Sequence, residues 1–596
     1  MQRLKLEPGN WDLDDALPGA ESGGFERTVA GLRAKAGTFE GMRKNLANFG
    51  PGEVADALKL YESMYEDVAR LGSHAYMRYS TDTGDQKAKA ALDTAEEIKA
   101  EVDNRAIFFR LWWTGLKGQD VAKLLPSDPD YRHFLGLWRD LKPFTLDEKV
   151  EQAVNLKNVT GFAGWTHHYD KVVSGFTFTV KVKGRALKDA SGKPRQMVVD
   201  EVTRLFTSAD APTREAAYQA LLGRYAKEGE ILGEVYRTIV RDWGNENIKM
   251  RKYASPISAR NLENDVSDEA VATLLKSCRA NAPVFQEFFR LKGKMLGLPK
   301  MSRYHIYAPL AKKERKFEYA TAVQMVSDAY KEFDPRIAGL MIKVFERGHV
   351  DASPRKGKTN GAYCASITPD VVPYMFLNYS GATRDVYTIA HESGHAVHSQ
   401  LASSHSVLTF QPPLVLAETA SVFGEMILFD KYMREEKDPE LRRAVLLEKI
   451  SSMYATIGRQ AYFVVFENEA HSKVVEGATV SDLCGVYSRI LAEQFGAAVA
   501  VPDEFKWEWT YIPHIFRTPF YCYAYAFGNL LSLALYDSYT KEGKEFVPKY
   551  RKILAYGGSA SPAKILDEVG VDVASAAFWQ GGFDVIKRMT SELRKL

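Results

Sequence analysis

Residues 388–399 read TIAHESGHAVHS, and this stretch decides how the rest of the chain is read. Three of the chain's 12 histidines and one glutamate fall within the eight positions from His391 to His398. No proline interrupts the stretch, so it is expected to be helical. His391 and His395 stand four apart, which puts both rings on one helix face about one turn from each other. Two imidazoles so placed can bind one zinc ion through nitrogen. Glu392 lies at the edge of the same face. It can serve a metal-activated water as general base without itself occupying the metal, the chemistry that a His-Glu-x-x-His spacing supports.

A catalytic zinc needs a third protein ligand and an open position. A third histidine six residues beyond His395 is absent, because position 401 is Leu401. The stretch LVLAETASVFGEMILFD supplies Glu418 instead, 23 residues past His395. Leu414, Leu416, Ala417, Ala420, Val422 and Phe423 surround it, and a carboxylate is costly among such residues unless a cation compensates it. Glu425, two turns further on, is a candidate for orienting a ligating histidine, with His398 and Ser421 behind it. His398 is not counted as a ligand, since a fourth protein ligand would close the site.

Composition bounds the rest. A chain of 596 residues is too long for one ordinary core, so two or more domains or one multi-lobed fold are expected. Lys and Arg number 79 against 76 Asp and Glu, which argues against a nucleic-acid or membrane-surface binder. Cys278, Cys364, Cys484 and Cys522 are scattered without a CxxC pair, so neither a thiolate metal knuckle nor a disulfide framework is indicated, and a reducing compartment, the cytoplasm, is expected. The N-terminus lacks a signal-peptide core. The 19 uncharged residues TPFYCYAYAFGNLLSLALY (518–536) have the length of a membrane span. Their tyrosines and the interruptions at Pro519, Gly528 and Asn529 indicate a buried helix instead.

Along the chain, 3-and-4 spacing predicts long helices. Val54, Leu58, Tyr61, Met64, Val68 and Leu71 form one stripe, and the stretches 85–113 and 213–243 read the same way. GFTFTVKVKG (175–184) alternates at period two, and with DASGKPR as its turn and QMVVDEV as its return predicts a hairpin. GAYCASI (361–367) and YMFLNYS (374–380) are short strand candidates just upstream of the histidines. A mainly α protein with a small sheet near the cluster follows, divided near residue 205 into an N-terminal helical lobe (1–204) and a second domain (205–596). No repeat recurs.

GKTNGAYC, LNYSGATRDVYTIAHESGHAVHS, LAETASVFGE, RQAYFVVFENEAH and HIFRTPFYCYAYAFGN occur in that order. Together they resemble the oligoendopeptidase F group of the thimet-oligopeptidase-like zinc metallopeptidases, over most of residues 205–596 and more weakly at WDLDDAL. The resemblance implies a two-lobed, almost all-helical zincin fold with a deep substrate channel. It implies hydrolysis of internal bonds of short, unstructured peptides, one zinc per chain held by His391, His395 and Glu418, and Glu392 as base. Ser393 departs from the larger apolar residue usual there, but position 393 should point away from the metal face.

Peptide hydrolysis passes through an oxyanion that needs donors. By resemblance His514 and the tyrosines of FYCYAY line the cleft. Gapless alignment across FYCY favours Tyr523 and then Tyr521 as catalytic, with Tyr525 binding substrate, although Tyr521 and Tyr525 share a helix face that Tyr523 opposes. Gly361, Ala362 and Tyr363 would present a strand edge to an extended peptide. Glu467 and His471 mimic metal spacing, and a structural Glu–His hydrogen bond accounts for them. Two alternatives stay open: a dipeptidyl carboxypeptidase, for which the sequence singles out no arginine to hold the substrate C-terminus, and a non-catalytic zinc protein that binds peptides. Oligomeric state is not legible.

Overall fold

The computed structural model describes residues 6–310 and 315–596, and among them helices dominate. The chain divides into two compact units, each assembled from three separate segments. One comprises 1–142, 314–435 and 535–572, the other 143–313, 436–534 and 573–596. A division at 204/205 coincides with neither unit, because segments returning from distant parts of the chain complete both.

In the first unit the predicted stripe becomes the 31-residue helix Pro51–Thr81. Val54, Leu58, Met64 and Leu71 are wholly buried against helices Gly24–Gly41 and Gln86–Gly115. Among the described residues no helix is long and apolar enough to cross a membrane. The segment 518–536 instead enters the helix Tyr523–Glu542, with Leu530, Leu531, Leu533 and Leu535 fully enclosed.

The two upstream strand candidates form as Tyr363–Ala365 and Tyr374–Phe376, paired antiparallel. The sequence reading missed a third strand, Val350–Asp351, which runs parallel to Tyr374–Phe376 on its other side and is only two residues long. Tyr363–Ala365 therefore lies at a sheet edge. Trp11, within WDLDDAL, sets its ring against Tyr363, Tyr374 and Phe376 at centroid distances of 6.2, 6.0 and 5.8 Å. The hairpin of the second unit turns earlier than predicted. Lys183 and Gly184 both take positive φ (49° and 80°) and join Lys181–Val182 to Arg185–Ala186. The chain then turns again at 189–193 and returns beside Phe178 through Met197. A two-residue turn with positive φ at both positions matches the twist of a hairpin, and the lysine hid it.

The histidine cluster sits on helix Thr383–Leu401. Asp385 starts it by accepting from Ser380 N–H and Oγ, both at 2.7 Å, and from Ala382 N–H at 3.2 Å. Helix Thr419–Glu435 packs closely along it. Glycine makes that approach possible. A Cβ on Gly394 would fall on the Ala420 carbonyl and within 2.5 Å of Ser421 Cα, and one on Gly424 would collide with the Tyr330 hydroxyl, which donates to Ala390 O at 2.7 Å. Replacing Gly394 with alanine is therefore expected to cost about 1–3 kcal/mol of stability by overpacking. It should also weaken metal binding, because the backbone it pushes carries Ser421. Thermal melting and metal titration check this; an unchanged melting temperature would refute it.

Candidate metal centre

His391 and His395 present their Nε2 atoms 3.3 Å apart. Glu418 Oε2 lies 3.4 Å from the first and 3.7 Å from the second. An ion with nitrogen and carboxylate ligands at about 2.1 Å in tetrahedral array spaces those ligands by roughly 3.4 Å. Two imidazole nitrogens and one carboxylate oxygen at this spacing thus fit a metal ion, and among the described residues these three form the group able to hold one. Glu418 lies at the break between the short helix Leu414–Ala417 and helix Thr419–Glu435, not inside a continuous helix. That break turns its side chain toward the histidines.

The neighbours hold the donors in place. Glu425 Oε1 lies 2.6 Å from His391 Nδ1; a proton on Nδ1 leaves Nε2 free to ligate. Burial alone would lower the His391 pKa, but the hydrogen bond and charge of Glu425 raise it to about 9. Burial and the charge of His391 hold His395 down at about 4, with the Ala417 backbone as its hydrogen-bond partner. Ser421 Oγ donates to Glu418 Oε2 at 2.6 Å. His398 is buried, and burial keeps it neutral with a pKa pushed down to about 3. Among the described residues its Nδ1 has no partner, and it lines the pocket without joining the donor group. Ser393 points away from the donors and is fully buried, with Oγ 3.9 Å from Met375 Sδ.

Glu392 is only 6% exposed, yet it faces the same pocket, a space of about 520 Å³. Burial, and then the charges of Glu418 and Glu425 against that of His391, push its carboxyl up to about 7. Ala362 and Tyr363 line this pocket together with Cys364, Ser366, Ser399 and Gln411. The sequence reading did not select these last four, because none has a local signal and the fold alone gathers them. Gly361 is exposed, with φ at 91°.

His514 and the tyrosines belong to the second unit. The rings of His514 and Tyr521 lie parallel at 5.9 Å, and Tyr525 stands edge-on to both, at 5.9 and 5.3 Å. All three are partly exposed. Burial and the charges of Arg517 and Arg459 lower the His514 pKa, which favours its neutral imidazole. Tyr523 departs from the expected arrangement. It is wholly buried, its hydroxyl accepts from Asn264 Nδ2 at 2.8 Å, and the Arg260 carbonyl stands 3.5 Å away. At the first position of helix Tyr523–Glu542 it turns into the core, whereas Tyr521, in the turn before that helix, and Tyr525 stay partly exposed. Glu467 and His471 are likewise not a hydrogen-bonded pair. Glu467 Oε1 accepts the Phe520 N–H at 2.7 Å, His471 packs its ring on Phe520 at 4.6 Å, and His471 Nε2 has no partner among the described residues. The positive φ of Phe520, 61°, aims its N–H at the carboxylate.

A carboxylate kept out of the ligand set, yet inside the same pocket, distinguishes a metal-dependent hydrolase from a structural metal site. Comparison with known proteins places the molecule further. The chain belongs to peptidase family M3, whose sequence profile matches residues 204–585, and it is a peptide hydrolase. A second profile, oligopeptidase F, matches residues 119–178. The chain is 28% identical over 418 residues to the plasmid oligoendopeptidase F of Lactococcus lactis subsp. cremoris, covering 70% of this chain and 69% of that protein. It is 24% identical over 595 residues to oligopeptidase PepF of Bacillus subtilis, covering 98% and 87%. The fold is that of a solved Chlamydophila abortus structure, with a TM-score of 0.87 at 22% identity and coverage of 100% and 99%. It is also that of oligoendopeptidase-F from Enterococcus faecium, with a TM-score of 0.72 at 20% identity and coverage of 96% and 98%.

Proposed function

We propose that the protein is a zinc-dependent endopeptidase of short, unstructured oligopeptides, acting in the cytoplasm, with residues 205–596 as its catalytic domain. The observation that carries this reading is the spacing of His391, His395 and Glu418 beside a buried Glu392. Bound by those three, a zinc ion supplies Lewis-acid chemistry: it polarises a carbonyl and acidifies a water. Glu392 accepts the water's proton and returns it to the leaving amine, a task for which its place in the same pocket, outside the donor group, suits it. Glu425 and Ser421 orient His391 and Glu418. The unpaired edge of strand Tyr363–Ala365 offers backbone groups to an extended peptide, which gives affinity independent of side chains. Neutral His514 and a tyrosine hydroxyl donate to the developing oxyanion. Incubation with a ladder of peptides of increasing length, with cleavage positions mapped by mass spectrometry, tests the reading. Cleavage confined to the penultimate bond from the C-terminus would favour a dipeptidyl carboxypeptidase, and no cleavage by metal-loaded protein would overturn the catalytic reading.

The tyrosines separate by substitution. Tyr521→Phe or Tyr525→Phe is expected to lower kcat by roughly 10²-fold, near the effect of losing one oxyanion donor, with a smaller change in KM. His514→Ala should lose at least as much. Tyr523→Phe should leave kcat alone and cost about 1–3 kcal/mol of stability, because the buried Asn264 amide loses its acceptor. Steady-state kinetics and melting curves of each variant decide. Unchanged kcat in both Tyr521→Phe and Tyr525→Phe would leave these tyrosines as packing residues.

A further inference from the structure

The chemistry above leaves one buried carboxyl of the second unit without a task. Glu467, on helix Arg459–Val475, is wholly enclosed. Its Oε1 accepts the Phe520 N–H at 2.7 Å, and its Oε2 has no partner among the described residues. A carboxyl withdrawn from water is costly, so the contact it keeps calls for a reason.

Phe520 stands in a turn. The Tyr521 N–H donates to Thr518 O at 3.1 Å, so Pro519 and Phe520 are the two central residues. Proline in second place followed by a positive φ, here 61°, is the type II pattern, whose third residue is ordinarily glycine. Phenylalanine favours negative φ, which a type I turn provides by turning over the peptide group between the central residues. Here that group is held at both ends. Its N–H meets Glu467, and its carbonyl, Pro519 O, accepts from Arg260 Nε at 3.1 Å. Turned over, the N–H would lose its acceptor and face a guanidinium, which offers only donors. The enclosed Phe520 ring, with the His471 ring at 4.6 Å and Trp243 at 6.3 Å, adds to the hold.

The turn joins helix Pro513–Arg517, which carries His514, to helix Tyr523–Glu542, which carries Tyr525, and Tyr521 is its last residue. A strained backbone kept in place by distant side chains is characteristic of functional sites. We propose that Glu467 is a positioning residue: with Arg260 it locks the Pro519–Phe520 peptide group in the strained turn and so keeps Tyr521 beside His514. This rests on the oxyanion role given to those two residues.

Two substitutions separate the acceptor from mere filling of space. Burial pushes the Glu467 carboxyl up to about 8, so glutamine, neutral and still carrying an acceptor oxygen, is its near equivalent. Leucine has similar size and no acceptor. In the zinc-loaded full chain Glu467→Leu is expected to lower kcat at least about tenfold with KM within about twofold, because a misplaced donor is felt mainly in the transition state. Glu467→Gln should stay within about threefold of wild type, since the Phe520 N–H keeps an acceptor. In a Tyr521→Phe background Glu467→Leu should lower kcat by less than about threefold, because the two act through one group. Hydrogen exchange read by mass spectrometry should be faster across residues 513–523 in Glu467→Leu and unchanged there in Glu467→Gln. Equal kcat losses in the leucine and glutamine variants overturn the proposal. So does unchanged exchange across 513–523 in Glu467→Leu, or a Glu467→Leu loss that multiplies in full with that of Tyr521→Phe. Should Glu467→Leu fail to fold, Arg260→Met, which frees the other end of the same peptide group, decides by the same readings. If kcat is unchanged in both His514→Ala and Tyr521→Phe, the oxyanion reading fails by itself. The exchange comparison, made without substrate, would then still show whether Glu467 locks the turn.

Discussion

Glu392→Gln is expected to lower kcat by about 10²–10⁴-fold while metal content and fold stay intact. The amide matches the carboxylate in shape but cannot accept a proton. Glu392 stands outside the three-residue donor group, so its replacement leaves the ligand atoms of His391, His395 and Glu418 in place. Nor should the substitution unfold the protein. Glu392 is 6% exposed, and removing a buried charge relieves a desolvation cost. Kinetics, elemental analysis and a melting curve on one preparation separate the possibilities. A variant with full zinc and near wild-type turnover would show that another group moves the proton.

The second large effect concerns the metal. Chelation should abolish activity and added zinc restore it, with one ion per chain at saturation. Glu418→Gln replaces an anionic oxygen 3.4 and 3.7 Å from the two Nε2 atoms with a neutral one, and should raise the Kd for zinc by well over about 100-fold. Glu425→Gln and Ser421→Ala touch the ligands and not the ion, and should cost about 10- to 100-fold. This order distinguishes a ligand from its supports. Competition against a chromophoric chelator measures it, and full activity after verified metal removal would end the metal-dependent reading.

Much of this centre is legible in the sequence because its information is local. The four-residue step from His391 to His395 becomes one face as soon as the stretch is helical, and helicity follows from the uninterrupted apolar spacing of Val386, Ile389, Ala390, Ala396 and Val397. Glu418 is legible because a lone carboxylate in an apolar run needs a reason. The strand pair near residues 363 and 374 is legible as two short runs flanked by glycine and proline. By itself, then, the sequence determined a mainly helical metallopeptidase and brought forward the residues proposed as its donors and base.

What it could not determine depends on contacts between residues far apart in the chain. Helical spacing alone puts Tyr523 opposite Tyr521 and Tyr525, but only Asn264, 259 residues away, shows that the Tyr523 side is the buried one. The helix rises at the same 3.6-residue period whichever face is covered, so the choice between catalytic and core tyrosine falls to tertiary packing. Glu467 and His471 keep helical spacing but do not pair, because Phe520 offers the carboxylate a backbone N–H and gives the imidazole a ring to lie against. Arg459 reads as one arginine among many until Arg303, 156 residues earlier in the chain, is found donating with it to the carboxylate of Glu508. Charge balance in a desolvated cluster is a sum over neighbours, and neighbours so distant in sequence are fixed only by the folded structure.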